Sequence, residues 1–259
     1  MKIFLILICA LVLIIFGPWF VFSPNTLQAI IEDSFSAHRI DIELHGLKKG
    51  LLYTIYVDTA VLRRNSHELI SLHNISLRIH PASLFLSSLR GVIDGEVYGG
   101  TISGKMKFTK DRQEMDFSLN KVGISEIVFL KRIGLTGKGT LSGTVAITDA
   151  EGHVEFVSRD ARFEPATYSG RRVPLNMFRA ITGALDIQGD TIHILSVSFE
   201  GEEVFARLKG KIQNAVMDLA MEIMPGRSFA ENPFLLAELE QYKVSPGYFV
   251  IPVKGNLHL

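Results

Sequence analysis

Apolar positions along this chain follow two patterns. The first is a continuous run from Ile3 to Phe22, IFLILICALVLIIFGPWFVF, with no charge and only Gly17 and Pro18 outside the apolar set. As a helix rising about 1.5 Å per residue, this run spans roughly 30 Å, the thickness of a hydrocarbon core. The second pattern begins at Arg39, where the period becomes two. Ile40, Ile42 and Leu44 alternate with polar residues, and Leu51–Val57 does so less strictly. Ile70 and Leu72 alternate, the phase slips at His73-Asn74, and alternation resumes as Ile75, Leu77 and Ile79. One extra residue moves every later side chain to the other face, so the slip predicts a bulge or a strand break.

Further strands are predicted at Gly91–Tyr98, Thr101–Phe108, Glu114–Leu119, Gly139–Ile147, His153–Phe163, Ala184–Ile187 and Thr191–Phe199, then at Glu203–Gln213, Ala215–Ile223 and Tyr248–Leu259. Gly, Asp and Asn separate them at hairpin distances, in Asp149-Ala150-Glu151-Gly152, Gln188-Gly189-Asp190, Gln213-Asn214 and at Asn74. Three helical inserts are expected, at Pro81–Leu89, at Ile124–Ile133 and from Asn232-Pro233 to Leu239. Between the two patterns, Ser23-Pro24 reads as a helix cap, and Leu27, Ile30, Ile31 and Phe35 share one face of a short amphipathic helix. The fold class is therefore mainly β: one N-terminal transmembrane helix, then an elongated, curved antiparallel β-sheet with short helical inserts. The domain reading is a transmembrane anchor at 1–22, a juxtamembrane amphipathic helix at 23–38 and a β domain at 39–259.

The apolar run reads as an uncleaved anchor. A signal peptide ends in a small-x-small site, whereas this run ends in Trp19, Phe20 and Phe22, bulky aromatics suited to an interfacial belt. Cys9 follows Ile8, so it lacks the small neighbour that a lipoprotein acceptor requires. Lys2 precedes the run and Glu32 and Asp33 follow it, which places the N-terminus in the cytoplasm and residues 23–259 outside, as fits a periplasmic domain. Cys9, the one cysteine of the chain, lies inside the anchor, so the exported part contains no disulfide.

Charge narrows the function classes. The 259 residues carry 27 basic and 27 acidic side chains, and the longest basic runs are pairs such as Lys48-Lys49. Nucleic-acid binding, which needs a basic excess or stripe, is excluded as an expectation. Seventeen Phe and ordinary charge content exclude a disordered chain.

The search for chemistry yields no catalytic, cofactor or metal residue. Ser103 and Ser142 have glycine three before and one after, not the spacing of a nucleophile elbow. No glycine-rich phosphate loop opens a helix. The histidines His38, His45, His67, His73, His80, His153, His193 and His258 form no HxxxH or HExxH pair, and they read as strand-edge side chains. Glu202-Glu203 and Glu238/Glu240 are carboxylate pairs without a second feature that would put them to acid–base work. Gly100-Thr101-Ile102-Ser103-Gly104 and Gly139-Thr140-Leu141-Ser142-Gly143 match at four of five positions, and they suggest a repeated hairpin unit.

Phe117–Ile147, FSLNKVGISEIVFLKRIGLTGKGTLSGTVAI, joins an alternating strand, a short helix and the series Leu-x-Gly-x-Gly-x-Leu-x-Gly-x-Val. That segment resembles the repeating unit of AsmA-like proteins, and Leu72–Phe108 resembles it too. With its single N-terminal span, the chain is similar to the GspN family of type II secretion system proteins. The resemblance implies a non-enzymatic, single-pass inner-membrane component whose periplasmic β domain contacts other secretion-machinery proteins, by strand addition at a sheet edge. The AsmA-like part implies an alternative, in which an apolar groove in the curved sheet holds phospholipid or acyl chains during lipid transfer. An envelope hydrolase is the third and weakest class.

Overall fold

A computed structural model describes residue 19 and residues 23–36, 41–64, 67–81, 88–132, 135–168, 171–173, 175–214, 216–226 and 239–256. The expected anchor at 1–22 lies outside them except for Trp19. Among the described residues no helix is long and apolar enough to cross a membrane. Fifteen strands form one large antiparallel sheet, and the chain divides into two compact units.

The first unit, up to Val97 and from Thr101 to Gln113, opens with helix α1 (Pro24–Ser36). Ser23 caps it, its Oγ accepting the Thr26 N–H at 3.1 Å. The strands are β1 (Asp41–His45), β2 (Lys48–Lys49), β3 (Thr54–Arg64), β4 (His67–Ile79), β5 (Ser88–Val97) and β6 (Gly100–Thr109). Their order is β1-β3-β4-β5-β6, with β2 also on β3. Leu27 and Ile31 of α1 pack on a core of Trp19, Leu44, Tyr53, Ile55, Val57, Ala60 and Ile75. The helix also closes the free side of β1: Leu44 N–H donates to Glu32 Oε1 at 3.2 Å, and Gln28 Nε2 donates to Leu44 O at 3.0 Å.

The predicted phase slip is a bulge. Asn74 sits at φ 49°, and the β4–β5 register shifts by one between His73 and Ser76. Its counterpart on β3 was not anticipated. There the buried positions Ile55 and Val57 give way to Ala60, opposite Leu72. Both strands slip at the same level, so the apolar row stays on one face of the sheet.

Two expectations fail in this unit. Leu51-Leu52-Tyr53 is a turn rather than the start of a strand, with Leu52 and Tyr53 at φ 53° and 59°. Gly50 N–H donates to Thr54 O across it, at 2.7 Å, which closes the chain before β3 begins. Ser88 and Leu89 of the expected Pro81–Leu89 helix belong to β5 instead. The His80 N–H donates to Arg90 O at 2.8 Å, so the ladder between β4 and β5 claims that backbone. Residues 82–87 lie outside the described residues.

The second unit comprises Tyr98–Gly100 and Glu114 onward. Its sheet strands are β7 (Gln113–Gly123), β9 (Thr140–Thr148), β10 (Glu151–Ser158), β14 (Phe178–Gln188), β15 (Thr191–Gly201), β16 (Val204–Gln213), β17 (Val216–Pro225), β18 (Lys243–Ser245) and β19 (Tyr248–Asn256). The order is β7-β9-β10-β14-β15-β16-β17-β19-β18. Asp149-Ala150 and Gly189-Asp190 make tight hairpin turns, with Asp149 at φ 53° and Gly189 at φ 56°. Asn214, at φ 49°, turns the chain between β16 and β17.

The Ile124–Ile133 insert is split into a 3₁₀ turn at Ile124–Glu126 and helix α2 (Val128–Arg132), because Ile127 is extended at φ −67°, ψ 107°. The predicted strand His153–Phe163 breaks after Ser158. Asp160 accepts the Thr140 N–H at 3.1 Å and turns the chain, burying Ala161 completely. The short strands β8 (Gly137–Lys138), β11 (Arg162–Phe163), β12 (Ala166–Tyr168) and β13 (Arg171–Val173) pair two by two outside the large sheet. Of the expected helix from Asn232, only Leu239 is described.

The two Gly-Thr-x-Ser-Gly segments share a steric reason. A Cβ on Gly100 would lie 2.5 Å from Asn120 O, and one on Gly139 would lie 2.5 Å from Asp160 O. Each glycine stands where a neighbouring backbone passes too close for any side chain.

Candidate functional site

Register across the second unit assigns every strand residue to one of two faces. One face is mainly apolar, with Ser158 opposite Ile181. Its outermost row runs Met115, Ile147, Gly152, Ile187, Ile192, Ile212 and Met217. The next row is Phe117, Val145, Val154, Leu185 and Ile194, continuing to Leu219 and Val253. A third includes Leu119, Phe156, Val197, Leu208 and Met221. None of these positions carries an ionisable group.

Cover on this face is uneven. Towards the end where β14 starts it is sealed by Ile124, Ala161, Phe163, Leu175 and Phe178, packed on Ile181, Val197, Val204 and Ala206. Apart from Phe178, which opens β14, the sealing residues come from the 3₁₀ turns at Ile124–Glu126 and Leu175–Met177 and from the stretch around β11. Towards the hairpin end, Met115, Ile147, Ile187, Ile192, Ile212 and Met217 are only half-buried. An apolar strip eight strands wide, at about 4.8 Å per strand, is roughly 34 Å long. Such a strip can shed water onto another apolar surface and can do no acid–base chemistry.

The opposite face is charged. His153 Nδ1 lies 2.6 Å from Asp186 Oδ1, and its Nε2 lies 3.4 Å from Glu155. Hydrogen bonding to Asp186, and secondarily to Glu155, holds the His153 pKa above its ordinary value. Further along, Arg207 Nε and Nη2 donate to Glu222 Oε2 at 2.8 and 2.7 Å, and Lys209 Nζ reaches Oε1. The Lys209 hydrogen bond is the main cause of a Glu222 pKa lowered to about 2, with Arg207 and Tyr248 adding to it against the effect of burial. Reading the sequence missed this cluster. Its one signal is the i, i+2 spacing of Arg207 and Lys209 on one strand, with Glu222 directly opposite Arg207.

The serine, histidine and glutamate side chains with chemical potential do not converge. Ser142 Oγ accepts the Lys121 N–H at 3.1 Å, where β7 bulges. His73 lies 3.2 Å from Thr59 Oγ1 and 3.3 Å from Ser71 Oγ on the polar face of the first unit. His45 is exposed, and the side chains of His38, His67 and His258 lie outside the described residues. Glu202 and Glu203 line an open depression of about 350 Å³ at the β15–β16 turn. A second depression, about 540 Å³, lies mainly over the polar face, among Ser142, Thr144, Glu155, Thr182, Ser196 and Ser198. Among the described residues no group of three or more His, Cys, Asp or Glu side chains is placed to hold a metal ion.

No protein-family model matches the chain, and neither a curated protein nor a solved structure matches it.

Proposed function

We propose that this protein is a non-enzymatic envelope protein, anchored in the inner membrane by the apolar run that precedes Trp19, that holds acyl chains on the apolar face of its second unit. The half-buried aliphatic strip at the hairpin end carries this reading. A strip of roughly 34 Å is about twice the ~15 Å that one leaflet's chains occupy, so it accommodates a whole phospholipid tail. In an elongated, curved sheet this face would form a trough with its sealed end at the start of β14. Residues 23–259 would then be periplasmic, and the protein would assist lipid movement as AsmA-like resemblance implies.

The secretion-component reading relies on free sheet edges, and these are restricted. α1 side chains occupy the outer side of β1. At the other end, β18 is three residues long and is followed by Pro246 and Gly247. Edges of that kind resist strand addition. What favours this reading is the outer side of β19 beyond Val250, which β18 does not cover. Pro252 interrupts that side.

Site-specific photocrosslinking in cells grown with radiolabelled phosphate tests the proposal. A photoreactive residue at Ile187 or Ile192 should capture labelled phospholipid, while one at Lys211 or Glu155, on the charged face, should not. Equal labelling of both faces, or none at Ile187 and Ile192, overturns the lipid reading. Deletion that blocks export of folded exoproteins would instead support the secretion component.

A further inference from the structure

The turn between β2 and β3 carries two leucines into solvent, Leu51 at 78% exposed and Leu52 at 65%. Leu52 and Tyr53 are both in left-handed backbone, a conformation that costs a residue with a Cβ and that glycine or asparagine adopts more readily. Sequence and conformation are therefore both unfavourable for a turn that only faces water. Strain of this kind points to a role outside the fold.

Trp19 is fixed to the same turn. Its Nε1–H donates to Gly50 O at 3.0 Å, and its ring lies 4.9 Å from that of Tyr53. Lys49 Nζ stands 4.8 Å from the ring centre and donates to Trp19 O. The indole, expected from sequence in an interfacial belt, is only 5% exposed and belongs to the first unit's core. Trp19 is also the fourth residue from the end of the apolar run at Phe22. The turn is thus tied to Trp19, a residue of that run.

From this geometry we infer that the Leu51-Leu52 turn inserts into the interface of the same bilayer that the apolar run crosses, docking the first unit on the membrane. The inference rests on the apolar run before Trp19 being an anchor. The occupant is lipid, for two reasons. Trp19, a residue of the apolar run, is hydrogen-bonded to the turn, and Lys48 and Lys49 precede the two leucines, Lys48 paired with Asp58 and Lys49 over the indole, as cations accompany an interfacial apolar tip. Leucine side chains at that depth sit about 5–10 Å into the boundary between headgroups and acyl chains. Such a second contact would restrain the domain from swinging on its anchor, and it would set the direction in which the sheet leaves the membrane.

The test uses the full chain with Cys9→Ser and a single new cysteine carrying an environment-sensitive fluorophore, at Leu52→Cys or Leu51→Cys. The second site avoids the left-handed position, in case the first variant misfolds. Glu96→Cys, on the exposed face of the same unit, is the reference. Each protein is reconstituted in vesicles of phosphatidylethanolamine and phosphatidylglycerol and floated on a density gradient. Labels at 51 or 52 should shift to the blue and lose emission to lipid bearing a nitroxide near the headgroup, while the label at 96 does neither. If the protein floats but labels at 51 and 52 stay water-exposed, or if all three sites are quenched alike, the docking inference is overturned and the anchor stands. If the protein does not float, the anchor reading fails and the inference fails with it.

Discussion

Glu222→Gln isolates one electrostatic contribution to the second unit. The carboxylate is 3% exposed, and Arg207 and Lys209 lie over it at 41% and 50%. Its pKa falls from 4.5 to about 2 on folding. At 1.36 kcal/mol per unit, that difference is worth about 3 kcal/mol at neutral pH. The two partner side chains are half in water, so solvent screening brings the expected loss to about 1–2 kcal/mol. Because the folded pKa is the depressed one, the contribution is complete above the unfolded value of 4.5 and disappears as pH falls through about 2.

Hydrogen exchange of β16, β17 and β19 is the appropriate assay, since the one tryptophan, Trp19, reports on the first unit. At pH 7, Glu222→Gln should speed exchange in these strands about 5- to 30-fold, the equivalent of that free-energy loss. Trp19 emission should not change. Repeated at about pH 2, with rates corrected for intrinsic exchange, wild type and variant should converge. Equal protection at pH 7, or a gap that persists in acid, would refute the assignment of the shift to this ion cluster.

Asn74→Val should cost the first unit about 1–2 kcal/mol, because a β-branched residue resists left-handed backbone. Deleting Asn74 should abolish its fold, read as a red shift of Trp19 emission; a blue, native-like spectrum would contradict the bulge reading. Gly100→Ala forces a methyl to 2.5–2.6 Å from Asn120 O, Lys121 C and Val122 N. It should cost about 2–3 kcal/mol by denaturant unfolding, against about 1 kcal/mol for Gly189→Ala, where the space is open and only φ is strained. Equal costs would refute the close-approach explanation. His153 should titrate above 6.5 by NMR, and Asp186→Asn should bring the midpoint down. Its small stabilisation is present below pH 6.5 and is lost as pH rises through the folded value. An unmoved midpoint would remove Asp186 as the cause.

What the sequence determined by itself is what depends on near neighbours. Period two marked the sheet strands because alternate side chains share a face, whatever the partner strand. Asp149, Gly189 and Asn214 marked their turns through backbone preference, and Ser23 marked its helix start through a hydroxyl that reaches the third residue on. The slip at His73-Asn74 was legible for the same reason.

Tertiary structure decided everything set by a distant partner. Met221-Glu222-Ile223 reads as an apolar strand with a solvent-facing acid, and only pairing with β16 buries Glu222 against Arg207 and Lys209. Trp19 reads as an aromatic of an interfacial belt, yet a hydrogen bond to Gly50, 31 residues on, draws it into a core. The strip around Ile187 and the sealed rows around Ile181 have the same alternation. They differ because, among the described residues, Ile124, Ala161, Phe163 and Leu175 pack over the second and not the first, and a cover of that kind leaves no trace in the period of the strands beneath it.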